Sequence, residues 1–166
     1  MTHDIFATMK TDFRKHILSG ILSPVVAGVL FIAGLTSASA QSGPDATLAA
    51  AARETDAKVT ASGLVIRTIK AGTGTQPTPS STVRVHYKGT FPDGREFDSS
   101  YKRGEPAEFP LSGVIKCWTE GVALMKVGGT AKLTCPSAIA YGARGAGGVI
   151  PPNATLVFEV TLLAVR

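Results

Sequence analysis

Residues 82–90 read Thr82-Val-Arg-Val-His-Tyr-Lys-Gly-Thr90 and give the clearest structural signal in the sequence. Large apolar residues alternate there with basic ones, in the order Val83, Arg84, Val85, His86, Tyr87 and Lys88. Because successive side chains of a β-strand point to opposite faces, the pattern predicts a strand with one buried face and one solvent-facing side. The chain is therefore expected to contain a sheet that covers a core.

Segments on either side of this strand extend the prediction to several strands. Pro92-Asp-Gly94 is a turn signal, so a hairpin partner is expected near Glu96–Asp98. The segment 71–81 contains several Gly and Pro residues and is predicted to be a loop. Three further segments are predicted to be strands, because they alternate or are rich in apolar and β-branched residues: Leu64–Lys70, Thr130–Cys135 and Thr155–Val165. The strongly apolar Thr155–Val165 is expected to be central in the sheet.

One amphipathic helix is predicted over Val114–Met125, ended by the two glycines at 128 and 129. Its apolar residues are spaced by three, four and three positions and so share one helical face: Ile115, Trp118, Val122 and Met125. A long loop rich in Gly and Pro follows over Pro136–Asn153. The sum is an α+β domain in which an antiparallel sheet packs on one short helix.

The first forty residues have the pattern of an export signal. Basic residues within Lys10–His16 precede the apolar run Ile17–Leu35, and Ala38-Ser-Ala40 matches a signal-peptidase site. We therefore expect residues 1–40 to be a cleavable signal peptide and Gln41–Arg166 to be a periplasmic protein.

An alternative for the same segment is an inner-membrane anchor over residues 17–35, which is about long enough to span a bilayer. Met9 is an alternative to Met1 as the true start, because the segment before the apolar run is long.

Residues 41–62 are predicted to be a short tail, mobile or helical. The segment is rich in Ala and polar residues, and Leu48–Lys58 could form a short helix. It contains too few large apolar residues to bury much surface, so it is expected to dock lightly at most. The remaining residues, 63–166, are predicted to form a single domain.

Several function classes are disfavoured by composition. The formal net charge is only +5, and because the chain has no run of five basic residues, nucleic acid is not an expected partner. Gly142-Ala-Arg-Gly-Ala-Gly-Gly148 matches neither phosphate-loop pattern. His86 is the single histidine beyond residue 16, which leaves no nucleophile–base pair and, with two cysteines, no complete zinc site. No cofactor and no metal are predicted.

The two cysteines have two interpretations. In an oxidising compartment Cys117 and Cys135 are candidates for a disulfide, whereas in the cytosol two separate buried thiols are the better interpretation.

Aromatic and apolar residues concentrate near strand ends and turns. Any one of them is more often a core residue than a ligand contact. As a group they suggest a hydrophobic pocket with a few polar groups at its rim, suited to a small ligand or a peptide: Tyr87, Phe97, Phe109, Val114, Ile115, Trp118, Tyr141, Ile150 and Phe158.

Five motifs in order resemble the FKBP-type peptidyl-prolyl cis-trans isomerases across about Gly63–Arg166. They are Val85-His-Tyr-Lys-Gly89, Asp93-Gly-Arg-Glu-Phe-Asp-Ser-Ser100, Gly113-Val-Ile-Lys-Cys-Trp118, Ala140-Tyr-Gly142 and Ile150-Pro-Pro-Asn-Ala-Thr-Leu-Val-Phe158. The resemblance implies a curved antiparallel β-sheet wrapped around one short α-helix, with a pocket between them. It also implies an enzyme that accelerates rotation of X–Pro bonds in polypeptide clients, and possible binding of the family's macrolide inhibitors.

The resemblance also assigns site residues. It implies Trp118 as the floor of the pocket, walls from Tyr87, Phe97 and Phe158, and an orienting or electrostatic role for Asp98. The Tyr141 hydroxyl and the Ile115 N–H are implied as donors to the ligand. Further substrate contacts are expected from four residues, two of them in a loop over the site: Phe109, Val114, Val149 and Ile150.

The chain departs from the family pattern at two positions. Cys117 stands where the family often has Gly, and Ala107-Glu-Phe109 stands where many members have two aromatic residues. The second departure thins one wall and is expected to lower macrolide affinity. It also keeps open a binding or holdase role without turnover. Residues 41–62 are too short for the dimerisation segment of exported relatives, so a monomer is expected.

Overall fold

The computed structural model describes residues 44–166. The predicted signal peptide, residues 1–40, and the alternative anchor over 17–35 lie outside the described residues. Within residues 44–166, no helix is both long and apolar enough to cross a membrane.

An antiparallel sheet of seven strands forms the body of the domain and confirms the predicted α+β class. The strand order is β1-β2-β6-β7-β3-β4, and β5 pairs with β3 beside this path. The strands are β1 (Ala57–Val59), β2 (Val65–Lys70), β3 (Thr82–Thr90), β4 (Glu96–Ser99), β5 (Ala107–Pro110), β6 (Thr130–Cys135) and β7 (Leu156–Val165).

The strand β3 has the alternating burial that its sequence predicts. Val83, Val85 and Tyr87 are fully buried, whereas Arg84 and Lys88 are exposed. The strand pairs along its whole length with β7, where Tyr87 lies opposite Val160. Its other edge is shared by β5 at one end and β4 at the other. Tyr87 lies where this edge changes partner.

The helix α3 (Lys116–Ala123) is shorter than the predicted Val114–Met125. Val114 and Ile115 have extended backbone, and the helix ends at Leu124. Of the four residues predicted to share its apolar face, Trp118 and Val122 lie on α3 and are buried, and Met125 is buried just after the helix. Ile115 is half-buried and lies outside the helix, because its backbone is extended.

The segment 41–62 contains two regular elements. The helix α1 (Pro44–Ala52) begins and ends earlier than the predicted Leu48–Lys58, and Asp56, in the turn that follows it, takes a left-handed φ of +63°. After this turn, β1 pairs with β2. Glu54 then binds Arg67 and Lys132 at 2.6 Å each, which ties the end of the segment to β2 and β6.

α1 and α3 lie against opposite faces of the sheet. On β6, Leu133 and Cys135 point towards the core that holds α3, whereas Lys132 alternates with them and reaches Glu54. A cavity of about 520 Å³ lies between α1 and the β3–β4 turn, and Ala50, Phe91 and Lys132 are among its lining residues.

Two short elements complete the fold. The helix α2 (Ser100–Arg103) follows β4 directly. Ser99 caps its N-terminus, because the Tyr101 backbone N–H donates to the Ser99 hydroxyl oxygen at 3.2 Å. β5 had no strand-like pattern in the sequence, because its four residues include Pro110 and Ala107. It forms at the edge of β3, where proline is tolerated.

Candidate active site

An aromatic cluster lies between α3 and the inner face of the sheet. Trp118 is at its centre, with ring centroids 5.2 Å from Tyr87, 5.7 Å from Phe109 and 5.5 Å from Phe158. The three contacts are edge-to-face, with interplanar angles of 87° to 89°. Rings meeting in this way place electropositive edges on electronegative faces. Trp118 is held at one orientation by partners from three different strands.

Phe97 joins the cluster through an irregularity of β4. Asp98 pairs with Gly89 and Glu96 pairs with Thr90, so Phe97 is an extra residue on its strand. Its ring contacts Phe158 edge-to-face at 5.6 Å and lies directly over Gly89. A Cβ at position 89 would stand 2.6 Å from the Phe97 ring, so glycine is required there for the ring to pack.

A polar group adjoins the aromatic cluster on the β4 side. The Tyr87 hydroxyl donates to Asp98 Oδ2 at 2.6 Å, and Arg103 donates to Asp98 Oδ1 at 2.7 Å and to the Tyr87 hydroxyl at 2.8 Å. Burial raises the pKa of Tyr87, and the hydrogen bond to Asp98 raises it further. The Tyr87 hydroxyl is therefore neutral, and it donates one hydrogen bond to Asp98 and accepts another from Arg103.

Ser100 replaces a missing strand beside Tyr87. Its hydroxyl accepts the Tyr87 backbone N–H at 2.8 Å and donates to the Tyr87 carbonyl at 3.2 Å. The same oxygen lies 3.0 Å from His86 Nδ1, and the His86 ring stacks on Tyr101 at 4.7 Å. A buried backbone segment between β5 and β4 is satisfied in this way.

Tyr141 brings a second hydroxyl, in the loop after β6. The side chain is buried, yet among the described residues its hydroxyl has no hydrogen-bond partner. Burial, together with the nearby negative charge of Asp98, raises the pKa of Tyr141 to about 12. The group is therefore a neutral donor whose proton is not committed to another protein atom in residues 44–166.

Four other residues with expected ligand contacts lie just before α3 or in the loop between β6 and β7, and they differ in their exposure to solvent. Val114 and Ile115 are half-buried and immediately precede α3. In the loop between β6 and β7, Ile150 is buried and forms a bridge with Ala146, whereas Val149 is 47% exposed. Their contact with a ligand stays a prediction.

Cys117 and Cys135 are joined by a disulfide, with Cα atoms 5.8 Å apart. The bond connects the first turn of α3 to the last residue of β6. For a separation of 18 residues, the loss of chain entropy in the unfolded state corresponds to about 3 kcal/mol of stabilisation. Within the described residues, no group of three His, Cys, Asp or Glu side chains could hold a metal ion.

Three residues of this site had no role in the sequence analysis. Gly89 and Ser100 lie inside the family motifs. The contact of Gly89 with the Phe97 ring depends on the bulge in β4, and the bonds of Ser100 to the Tyr87 backbone depend on its position beside β3. Arg103 gave no signal, because a lone arginine five residues after Asp98 is usually a solvated surface residue.

The chain resembles known proteins over this domain. Residues 73–163 match the family model described as "FKBP-type peptidyl-prolyl cis-trans isomerase". A protein of that name, FkpA of Aeromonas hydrophila, is 55% identical over 119 residues, which cover 72% of this chain and 44% of the relative. FK506-binding protein 1 of Dictyostelium discoideum is 58% identical over 106 residues, 63% of this chain and 99% of that protein.

Solved structures agree with the fold. The crystal structure of FkpA from Escherichia coli superposes with a TM-score of 0.72 and 49% identity, covering 74% of this chain and 57% of that one. The chain spans less than half the length of the FkpA sequences that it matches. The family match nevertheless covers more than half of the chain and contains all of the aromatic cluster. The chain belongs to the family of FKBP-type peptidyl-prolyl cis-trans isomerases.

Proposed function

We propose that this chain accelerates cis–trans rotation of X–Pro bonds in polypeptides, with the aromatic cluster around Trp118 holding the proline ring. The observation that carries the proposal is the buried Tyr141 hydroxyl, which has no hydrogen-bond partner among residues 44–166 and whose pKa is raised by burial and by the charge of Asp98. An unsatisfied buried donor costs free energy unless a ligand uses it. A peptide carbonyl is a suitable acceptor.

Rotation needs no proton transfer and no covalent intermediate. Its barrier is about 20 kcal/mol because the C–N bond has partial double-bond character. The twisted amide is less polar than the planar one, so an apolar site can bind it more tightly and lower the barrier. If this difference in binding were about 5 kcal/mol, the rate would rise by three to four decades.

Each group has a defined part in this proposal. Trp118 forms the floor, and Tyr87, Phe97 and Phe158 form the walls. Tyr141 and the Ile115 backbone N–H donate to the carbonyl groups of the bound peptide. Asp98 supplies negative charge beside Tyr141, and Phe109, Val114, Val149 and Ile150 add apolar contact.

The proposed clients are proline-containing segments of exported proteins, met by a monomer in the periplasm after cleavage behind Ala40. The leader pattern in residues 1–40 supports this location. The macrolide inhibitors of the family are further proposed ligands. Ala107, which lies on β5 two residues before Phe109, leaves one wall with a single aromatic ring and is expected to weaken them.

An isomerisation assay on an Ala-Leu-Pro-Phe peptide tests the proposal. The folded protein should raise the rate well above background, and Trp118→Ala should lower kcat/KM more than Asp98→Asn does. Because removing a buried Trp can cost about 3–5 kcal/mol of stability, Trp118→Phe is measured as well. Leu124→Ala, on the exposed end of the same helix, is the control.

Two results would count against the proposal. A rate no higher than background from the folded protein would leave a holdase or binding role, which a thinner wall at Ala107 would suit. A larger loss from Asp98→Asn than from the Trp118 variants would mean that charge, not the shape of the apolar site, lowers the barrier.

A further inference from the structure

We infer that the Cys117–Cys135 disulfide positions Trp118 for the reaction, in addition to stabilising the fold. The inference rests on the proposed function, because it assigns the two cysteines to the same site. The cysteines do not touch substrate in this account. They act through the ring of the neighbouring residue and are positioning residues.

The disulfide joins the parts of the domain that carry the site. Cys117 is the second residue of α3 and immediately precedes Trp118. Cys135 is the last residue of β6 and lies opposite Leu156, two residues before Phe158 on β7. The loop that starts after Cys135 carries Tyr141. Along the chain, the disulfide directly adjoins Trp118 and the start of the loop that carries Tyr141, and the β6–β7 pairing connects it to the strand that carries Phe158.

Besides the disulfide, the first turn of α3 is held to the sheet by the packing of the Trp118 ring against side chains of β3, β5 and β7. None of the described side chains caps this helix at Ile115. Two hydrogen bonds of this turn are local in sequence: the Trp118 backbone N–H donates to the Ile115 carbonyl at 2.9 Å, and the Thr119 hydroxyl donates to the Leu111 carbonyl at 2.6 Å. An eight-residue helix is marginal by itself, so its position depends on tertiary links.

Loss of the link should therefore loosen the Trp118 ring more than it loosens the sheet. The edge-to-face contacts of Trp118 with Tyr87 at 5.2 Å and with Phe158 at 5.5 Å depend on where the helix holds the ring. A misplacement of about 1 Å in a catalytic group can lower a rate by about a hundredfold. A disulfide that only stabilised the fold would leave the folded enzyme's rate unchanged.

The experiment compares the oxidised protein with its reduced form. The protein is unfolded, reduced with a water-soluble phosphine and refolded in its presence, because both sulfurs are buried. The phosphine gives two electrons to the disulfide and becomes the phosphine oxide with oxygen from water, whose two protons complete the two thiols. Cys117→Ala/Cys135→Val is a second, permanently unlinked form that keeps apolar side chains at both buried positions.

All forms are assayed well below their melting temperatures, with sucrose added so that each is folded by near-ultraviolet circular dichroism. The matched control is Ile66→Ala, which removes buried apolar volume on β2 and leaves the disulfide intact. Trp118 is the only tryptophan of the chain, so acrylamide quenching of its fluorescence reports on this ring alone.

The inference predicts that both unlinked forms lose about tenfold or more in kcat/KM and that acrylamide quenches Trp118 more readily in them. Ile66→Ala should lower the melting temperature and change neither quantity. An unchanged kcat/KM and unchanged quenching in the unlinked forms would overturn the inference, as would two titratable thiols in the native exported protein. Inactive oxidised protein would instead contradict the proposed function, and the quenching comparison would still decide the positioning of Trp118.

Discussion

The two tyrosines of the proposed site have opposite hydrogen-bonding states. The Tyr87 hydroxyl is engaged by Asp98 and Arg103, whereas that of Tyr141 has no partner among the described residues. Motif comparison alone treats both as pocket residues. The structure separates them, because only the second still has a proton to offer. In the proposed mechanism, Tyr87 therefore orients Asp98 and Tyr141 binds the substrate carbonyl.

Tyr141→Phe separates activity from stability. Because the buried hydroxyl makes no hydrogen bond within residues 44–166, its removal should not lower the free energy of unfolding and should leave it equal or higher. The loss of one hydrogen bond to the rotating amide should lower kcat/KM by about tenfold. Urea unfolding and the peptide assay measure the two effects. Equal activity in the variant would remove Tyr141 from the mechanism.

The raised pKa of Tyr141 predicts a stability difference at alkaline pH. The unfolded side chain ionises near pH 10, while the folded one stays protonated to about pH 12. The folded state then binds more protons than the unfolded state, so the wild type should lose stability relative to Tyr141→Phe as the pH rises from about 10 to about 12. Below pH 9 the difference between the two proteins should be constant. A constant difference throughout would contradict the shifted pKa.

Among the secondary elements, those with a strong sequence pattern were predicted and those created by pairing were not. β3, β6 and β7 alternate or are continuously apolar, and the structure places strands there. β1 and β5 have only three and four residues, too few for their alternation to predict a strand. They are extended because β2 and β3 offer free edges with which they pair. The residues of β1 and β5 alone therefore do not predict these strands. The bounds of the helices also differ from the predicted ones: α1 ends at Ala52 and is followed by a turn that contains left-handed Asp56, and the backbone of Val114 and Ile115 before α3 is extended.

Removal of residues 41–62 tests the predicted start of the domain. α1 and β1 lie away from the aromatic cluster, so the fragment 63–166 should fold and keep kcat/KM within about twofold of 41–166. It should lose about 1–3 kcal/mol of stability, because it lacks the β1–β2 pairing, buried Ala51 and the two ion pairs of Glu54. Guanidinium unfolding measures this loss.

Glu54→Gln in the longer protein is the matched control. It should cost less than about 1 kcal/mol, since both ion pairs are partly exposed. Its bonds to Lys132 and Arg67 lower the pKa of Glu54, so this small contribution is present at neutral pH and is lost as the pH falls through that lowered value. An unfolded or inactive 63–166 fragment would place α1 and β1 inside the minimal domain.

Across the whole domain, the family could be identified from sequence because five motifs keep their order and character. Their assembly could not be derived from spacing alone. Trp118, Tyr87 and Phe109 come from α3, β3 and β5, and they meet only because β5 adds to one edge of β3 and α3 crosses beneath it. Arg103 was missed because its partners, Tyr87 and Asp98, become neighbours through the β3–β4 hairpin.

The central claim is that the ring of Trp118 holds a proline whose amide bond is rotating. Exchange spectroscopy by NMR on an Ala-Leu-Pro-Phe peptide with substoichiometric protein measures the cis–trans rate, and the single indole N–H signal of Trp118 reports contact. We predict that exchange accelerates and that the indole signal shifts over the same range of peptide concentration. Acceleration without any movement of the indole signal, or binding without acceleration, would contradict the account.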